Sequence, residues 1–467
     1  MIPFLPKQIS SKAIALYLGS LAVVSLLFFS HSMDLVFIII GVSWVLGFFL
    51  LTSYCSRSWK DLPQKRFVTN IALTAVGLRW VWVVFSYFFY ISKTGTPFEF
   101  EAADSIGYWE DAVWLSSEKW QNIIDYLFVN RDTVSDSGYL LYLTALCKTI
   151  GPNVIVSRFI KAIWSTGTVL LIYNLSRRNI GEKGGRLAAI MACFMPNFII
   201  YTGLHLKETE MLFLMVAFLE RADYLLRSKK YNFWTIAVPV LLLLSLFTFR
   251  TVLGFAGVFA FASGVVFTTT SVIGRKKRVM LITWIIIAVA TMAGGTIQNE
   301  AEGLWEERNS NQSAKRLSQT MHGNQWAKYA TGTIMAPMMF VLPFPTMVDV
   351  DEQYNQQVIS GGNYVRNFLG GFVLLAVFSA LFVKKNWRDL SFIGAFVLVY
   401  LGIISMSGFS NSERFLLPGL PVLLIIAAYG ITLLNAKNYR FIKIWYWIVP
   451  LMVVGWAVFK IGSRGLL

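Results

Sequence analysis

Residues 35–54 read LVFIIIGVSWVLGFFLLTSY, twenty positions from Leu35 to Tyr54 without a charge. At 1.5 Å per residue such a helix covers about 30 Å, the thickness of a bilayer's hydrocarbon core. Working outward, comparable apolar runs lie near 13–30, 67–91, 152–175, 185–203, 208–226, 232–249, 251–272, 279–296, 364–383, 389–407, 415–434 and 442–460. The expectation is an all-α polytopic membrane protein with about 13 transmembrane helices, outer-face loops and interfacial helices. Composition agrees: of 467 residues 56% are hydrophobic and 14% charged, with a mean hydropathy of +0.59. A charge at the bilayer centre costs roughly 2.5–3.5 kcal/mol on insertion scales. Charges are therefore expected at helix ends and not midway. The stretch 137–150 is too short to span and suits the interface. Residues 335–345 hold three prolines and suit a re-entrant or surface segment.

The net charge is +16. In a soluble chain that would point to nucleic acid, but here the basic residues gather in short turns between apolar runs. Arg57, Lys60, Lys65 and Arg66 form one such turn, and Arg177, Arg178, Lys183 and Arg186 the next. Arg221, Arg227, Lys229 and Lys230 follow, then Arg275 to Arg278, then Lys384, Lys385 and Arg388, then Lys437, Arg440 and Lys443. They fall at alternate connections, the positive-inside pattern. A multi-pass protein of a bacterial inner membrane with a cytoplasmic N-terminus is expected, and no nucleic-acid partner. The first run follows Lys7 and Lys12 as a signal peptide would. It lacks a small-x-small cleavage site and reads as a retained helix. Cys55, Cys147 and Cys193 have neither metal nor disulfide spacing.

The remaining connections should face outward, and the segment 92–137 has the opposite charge. Nine acids (Glu99, Glu101, Asp104, Glu110, Asp111, Glu118, Asp125, Asp132, Asp136) stand there against three bases, Lys93, Lys119 and Arg131. Other outward ionisable groups are Lys207 with Glu208, Arg250, and Glu413 with Arg414. Each has an ordinary role open to it. Arg250 can snorkel to headgroups, Glu208 and Glu210 suit a first helical turn, and Glu413 with Arg414 can form a surface pair of little energy. Together, if the helix ends converge, they supply guanidinium forks for phosphate oxygens and a carboxylate to take an acceptor's proton. That is the layout of a transferase that uses a lipid phosphate as leaving group.

At this point the sequence resembles a family, the membrane-embedded GT-C glycosyltransferases related to protein O-mannosyltransferases and the lipid A aminoarabinose transferase. The resemblance rests on Asp104 and Tyr108 in the first outer segment and Gly138 to Tyr142 leading to Arg158. It continues with Tyr173 to Gly181, Pro196 to Tyr201 before Lys207 and Glu208, and Glu413-Arg414 running into Pro418 and Pro421. About a third of the chain is covered. It implies a GT-C-like fold, a polyprenyl-phosphate sugar donor and inverting transfer to a glycan, lipid or protein acceptor on the extracytoplasmic face. It makes Asp104 the base or the acceptor-orienting residue, with Lys207, Arg250 and Arg414 on the lipid phosphate. Tyr108, Glu110, Asp111, His205 and Glu208 would support the acceptor. Asp104 is followed by Ser105, where the family often has a second acid, so Glu101, Glu110 and Asp111 stay open as alternative bases. No metal site is assigned, and a divalent ion remains compatible with the carboxylates.

One domain, 1–467, is expected, with outer elaborations at 92–150 and 297–363. The second of these, with His322, reads either as a solvated connector or as a lid over the site. Two other functions fit less well. An outer-face polymerase or ligase using a lipid diphosphate would lean on Arg250, Arg366 and Arg414 without needing Asp104. A lipid or sugar transporter should carry charges at mid-membrane depth and repeated halves.

Overall fold

The computed structural model describes residues 4–130, 134–228, 232–267, 343–349, 353–384, 387–406 and 413–462. The expectations for Lys229, Lys230, Arg275 to Arg278, the run 279–296, His322 and most of 297–363 lie outside the described residues. Among the described residues the chain is helical, without a β-strand. Helices α1 (Lys7–Leu27), α2 (Leu35–Ser58) and α3 (Gln64–Thr94) come first. Shorter α4 (Ala103–Ser117), α5 (Trp120–Phe128) and α6 (Ser137–Ile150) follow, so the acidic segment is largely helical. Then come α7 (Val154–Phe194), α8 (Pro196–Ile200), α9 (Glu208–Arg227), α10 (Phe233–Phe249) and α11 (Thr251–Phe267). The last group is α12 (Tyr354–Phe378), α13 (Ser391–Met406), α14 (Glu413–Leu416), α15 (Leu420–Thr432) and α16 (Tyr439–Gly462).

Eight helical segments among the described residues are long and apolar enough to cross a membrane. The other expected spans fall on the shorter apolar helices α10 and α11, on the second arm of α7, on 279–296, and on α9. Helix α9 is not one of the eight; it carries Glu208, Glu210, Glu220, Arg221, Asp223 and Arg227.

The 41 residues of α7 are two arms of a hairpin, because Gly181 has φ 81° and ψ 169°. Only glycine adopts that backbone without strain. In a straight helix Ser165 and Cys193 would stand about 42 Å apart. Instead one side chain reaches both: Arg79 Nε donates to Ser165 Oγ at 2.7 Å and Nη1 to the Cys193 carbonyl at 3.3 Å.

Arg79 corrects the expectation that charges stand only at helix ends. It lies midway along α3 and is fully buried. The cause is local. Pro196 has no N–H, so the Ala192 carbonyl four residues earlier loses its helical donor. Arg79 Nη2 donates to that carbonyl at 3.4 Å. A mid-helix arginine thus pins α3 to both arms of α7 at a proline break.

Helices α12 and α15 are the buried centre, and glycines set their spacing. A Cβ on Gly361 of α12 would lie 2.6 Å from the Gly41 carbonyl of α2, and one on Gly430 of α15 would collide with the Phe372 carbonyl. Lipid offers no hydrophobic drive for helices to associate, so such close backbone approach carries much of the packing.

Three polar turns meet at one end of the bundle. Arg186 Nη1 donates to the carbonyls of Trp59, Lys60 and Leu62 at 3.1, 3.1 and 2.7 Å, tying the α7 turn to the α2–α3 turn. Arg178 pairs with Glu220 at 2.7 Å and Asp223 at 2.8 Å, bringing in the far end of α9. The start of α9 therefore lies at the opposite end.

Candidate functional site

At that opposite end, residues from five distant stretches converge. Gly95, at φ 75°, closes α3 in the left-handed conformation that favours glycine. The chain then enters α4 with Asp104 in its first turn and Tyr108 one turn later on the same face. Arg414, in α14, joins the cluster's parts: Nη1 donates to Asp104 Oδ2 and Nε to Glu208 Oε1 at 2.7 Å. Arg250, in the extended link between α10 and α11, approaches the same Glu208 oxygen at 3.4 Å. Its guanidinium also lies 4.3 Å over the Phe415 ring. Lys207 touches Asp136 Oδ1, and Tyr108 Oη donates to Asp136 Oδ2 at 2.6 Å.

Three cations and three carboxylates are thus gathered. Of the ordinary roles open in the sequence, those of Arg250 and of the Glu413–Arg414 pair do not apply, while Glu208 does stand in the first turn of α9. Arg250 is 6% exposed and paired, not snorkelling. Glu208 makes no capping bond and is fully buried beneath two guanidinium groups. Glu413 and Arg414 are not each other's partners; Glu413 accepts from Arg366 Nη1 at 2.8 Å. Exposure grades through the cluster: the side chains of Asp104, Arg414 and Glu208 are 58, 22 and 0% exposed. Asp104 faces solvent while Glu208 anchors the cations from within. Burial, with Arg250 next, pulls the Lys207 ammonium well below its ordinary value. Burial and then the Glu208 charge push the Tyr108 phenol up to about 12, so it stays a hydrogen-bond donor.

The other expected site residues lie elsewhere. Glu110 is exposed and Asp111 half-buried, and neither pairs with the cluster among the described residues. His205 stands apart from the ion pairs. It is buried edge-on between Phe98, at 5.9 Å, and Trp109, at 5.0 Å. Burial, reinforced by Lys161 and Arg158, holds its pKa well below the ordinary value and leaves a neutral imidazole.

Asp136 was one acid among nine in the sequence, yet it holds both Lys207 and Tyr108. Its signal is the Asp-Ser-Gly opening of α6, where Asp136 takes a left-handed backbone at φ 72°. A second group was also missed. Lys161 donates to the Leu204 carbonyl at 3.0 Å and lies 3.5 Å from Glu210, with buried Arg158 and Glu99 nearby. Among the described residues no three His, Cys, Asp or Glu side chains gather as a metal-binding group. In comparisons with known proteins, no family model and no curated protein matches the chain.

Proposed function

We propose that this protein is an extracytoplasmic-face glycosyltransferase that takes its sugar from a polyprenyl-phosphate donor. The observation that carries the reading is the six-charge cluster, in which a solvent-facing carboxylate and three cations share one helix end. The acceptor hydroxyl would attack the anomeric carbon from the face opposite the phosphate, inverting it. Its proton would pass to Asp104, and the electrons of the broken carbon–oxygen bond would leave on the polyprenyl phosphate. Arg414, Arg250 and Lys207 would hold that phosphate. The cluster is charge-balanced as it stands, so an arriving phosphate would compete with Asp104 for Arg414 and free that carboxylate to act as base. Glu208, with its two arginines, would keep the cations assembled throughout.

Asp104→Asn is expected to lower sugar transfer at least ~10³-fold, within the range general bases supply, while the protein still inserts and folds. Transfer of radiolabelled sugar from a lipid monophosphate donor measures this. Unchanged turnover would sink the assignment and favour a polymerase or ligase that needs only the arginines. Arg414→Ala is expected to weaken donor binding; a change confined to acceptor affinity would remove the phosphate role.

A further inference from the structure

Beside the ion-pair cluster lies a second buried group whose hydrogen-bonding capacity is unused. Among the described residues, all three guanidinium nitrogens of Arg158 lack a hydrogen-bond partner, although the residue is 0% exposed. Both ring nitrogens of His205 and Glu99 Oε2 are buried and unbonded as well, and the buried Glu210 carboxylate has Lys161 Nζ 3.5 Å away as its ion-pair partner. Native interiors leave few such atoms, because each unmade bond costs about 1–3 kcal/mol and more for a charged group. Aromatic rings enclose these atoms. Phe98 lies 6.0 Å from the Arg158 guanidinium, and Trp109 and Phe98 flank His205. The stretch 205–210 forms the wall between the two groups. Glu208 and Glu210 are about 200° apart around α9, so one carboxylate faces Arg250 and Arg414 while the other faces Lys161.

Spare donors and spare acceptors between aromatic faces match a pyranose, whose hydroxyls both give and accept bonds and whose C–H faces stack on rings. A plain anion would leave Glu99 Oε2 unmatched; a hydrocarbon would leave everything unmatched. We infer that this buried polar group is the subsite that recognises the donor's sugar, with Arg158 and His205 as its hydrogen-bonding residues. The inference rests on the glycosyltransferase reading and extends it from the phosphate to the glycosyl group.

The test compares the purified full-length protein's affinity for a short-chain polyprenyl phosphate with its affinity for the glucosyl, mannosyl, galactosyl and N-acetylglucosaminyl esters of that lipid. At least one ester should bind wild-type protein ten-fold or more tightly than the bare phosphate. Arg158→Gln should erase that preference while affinity for the bare phosphate stays within about two-fold. Because Arg158→Gln sits in the interior, thermal unfolding in detergent is measured alongside. His205→Asn, a smaller change, should lower the same preference several-fold. Three results overturn the inference: no ester outbinds the phosphate, the preference survives both variants, or both ligands weaken equally. Ordered waters would then satisfy these atoms. Loss of the glycosyltransferase reading looks different: the bare phosphate itself would not bind, or would bind without dependence on Arg414.

Discussion

The two ends of the bundle both bury charges and treat them differently. At the end where Arg178 and Arg186 lie, nearly every buried polar atom has a partner. Arg178 spans Glu220 and Asp223, Arg227 holds Asp223 at 2.9 Å and Asn179 at 3.0 Å, and Arg186 caps three carbonyls. Its one unbonded carboxylate oxygen, Glu220 Oε2, still has Arg221 Nε 3.0 Å away. At the other end ten buried atoms on Glu99, Arg158, His205, Glu208, Glu210 and Arg250 lack hydrogen bonds among the described residues. A satisfied network rigidifies, whereas surplus donors and acceptors in a dry site are capacity held for something else. The first end is a clasp, and the second holds the unused capacity on which the proposed site rests.

The sharpest way to break that contrast is Glu208→Ala. Two guanidinium groups would then face each other in the interior with no carboxylate between them. Removing one partner of a buried ion pair costs about 3–5 kcal/mol. The prediction is the largest fall in thermal unfolding midpoint of any single change in the cluster, together with loss of donor binding. An unchanged midpoint would mean that water reaches Arg250 and Arg414 freely and that the gradient of exposure is illusory.

Arg178→Ala asks the converse question at the clasp. Its partners Glu220 and Asp223 are buried, but the arginine is 22% exposed, and Arg221 and Arg227 remain beside them. The penalty should fall to about 1–3 kcal/mol, since solvent screening and the remaining cations offset part of the lost pair. Turnover per folded molecule should stay at the wild-type level. Reduced turnover in protein of normal fold would show that the two ends are coupled through α9.

Which features were legible beforehand follows from how far apart the responsible residues lie. Apolar runs are local, so the helical membrane class and the positions of α2, α3 and α16 could be read directly, whereas α12 begins ten residues before its expected run. Gathering Asp104, Lys207, Arg250 and Arg414 needed only the idea that alternate helix ends share a side. The separate fates of Glu413 and Arg414 were not legible, because adjacent residues point about 100° apart on a helix and choose different partners across the bundle. Arg79 was hidden for a different reason. Its purpose depends on a carbonyl freed by Pro196, more than a hundred positions away. Glu110 and Asp111 resembled Asp104 in composition alone; helical phase and exposure, not charge, decided which acid met Arg414.

His205 gives the smallest and most specific prediction, because it belongs to the unsatisfied end and an unfolded histidine titrates in an accessible range. Its folded pKa is depressed, first by burial and then by Lys161 and Arg158. Below about pH 6.5 the unfolded chain takes up a proton there that the folded chain refuses. The unfolded state then binds more protons, so stability falls as pH falls, by up to about 1.4 kcal/mol per pH unit from this one group. Above that pH both states are neutral at His205 and the contribution vanishes. Thermal unfolding of wild type and His205→Asn between pH 4.5 and 7.5 should therefore show curves that converge at the acid end, the wild type losing its advantage as pH drops. Other acids nearby contribute to both curves, so the difference isolates the imidazole. Parallel curves would mean that the folded protein protonates His205 readily, against its burial beside Lys161 and Arg158.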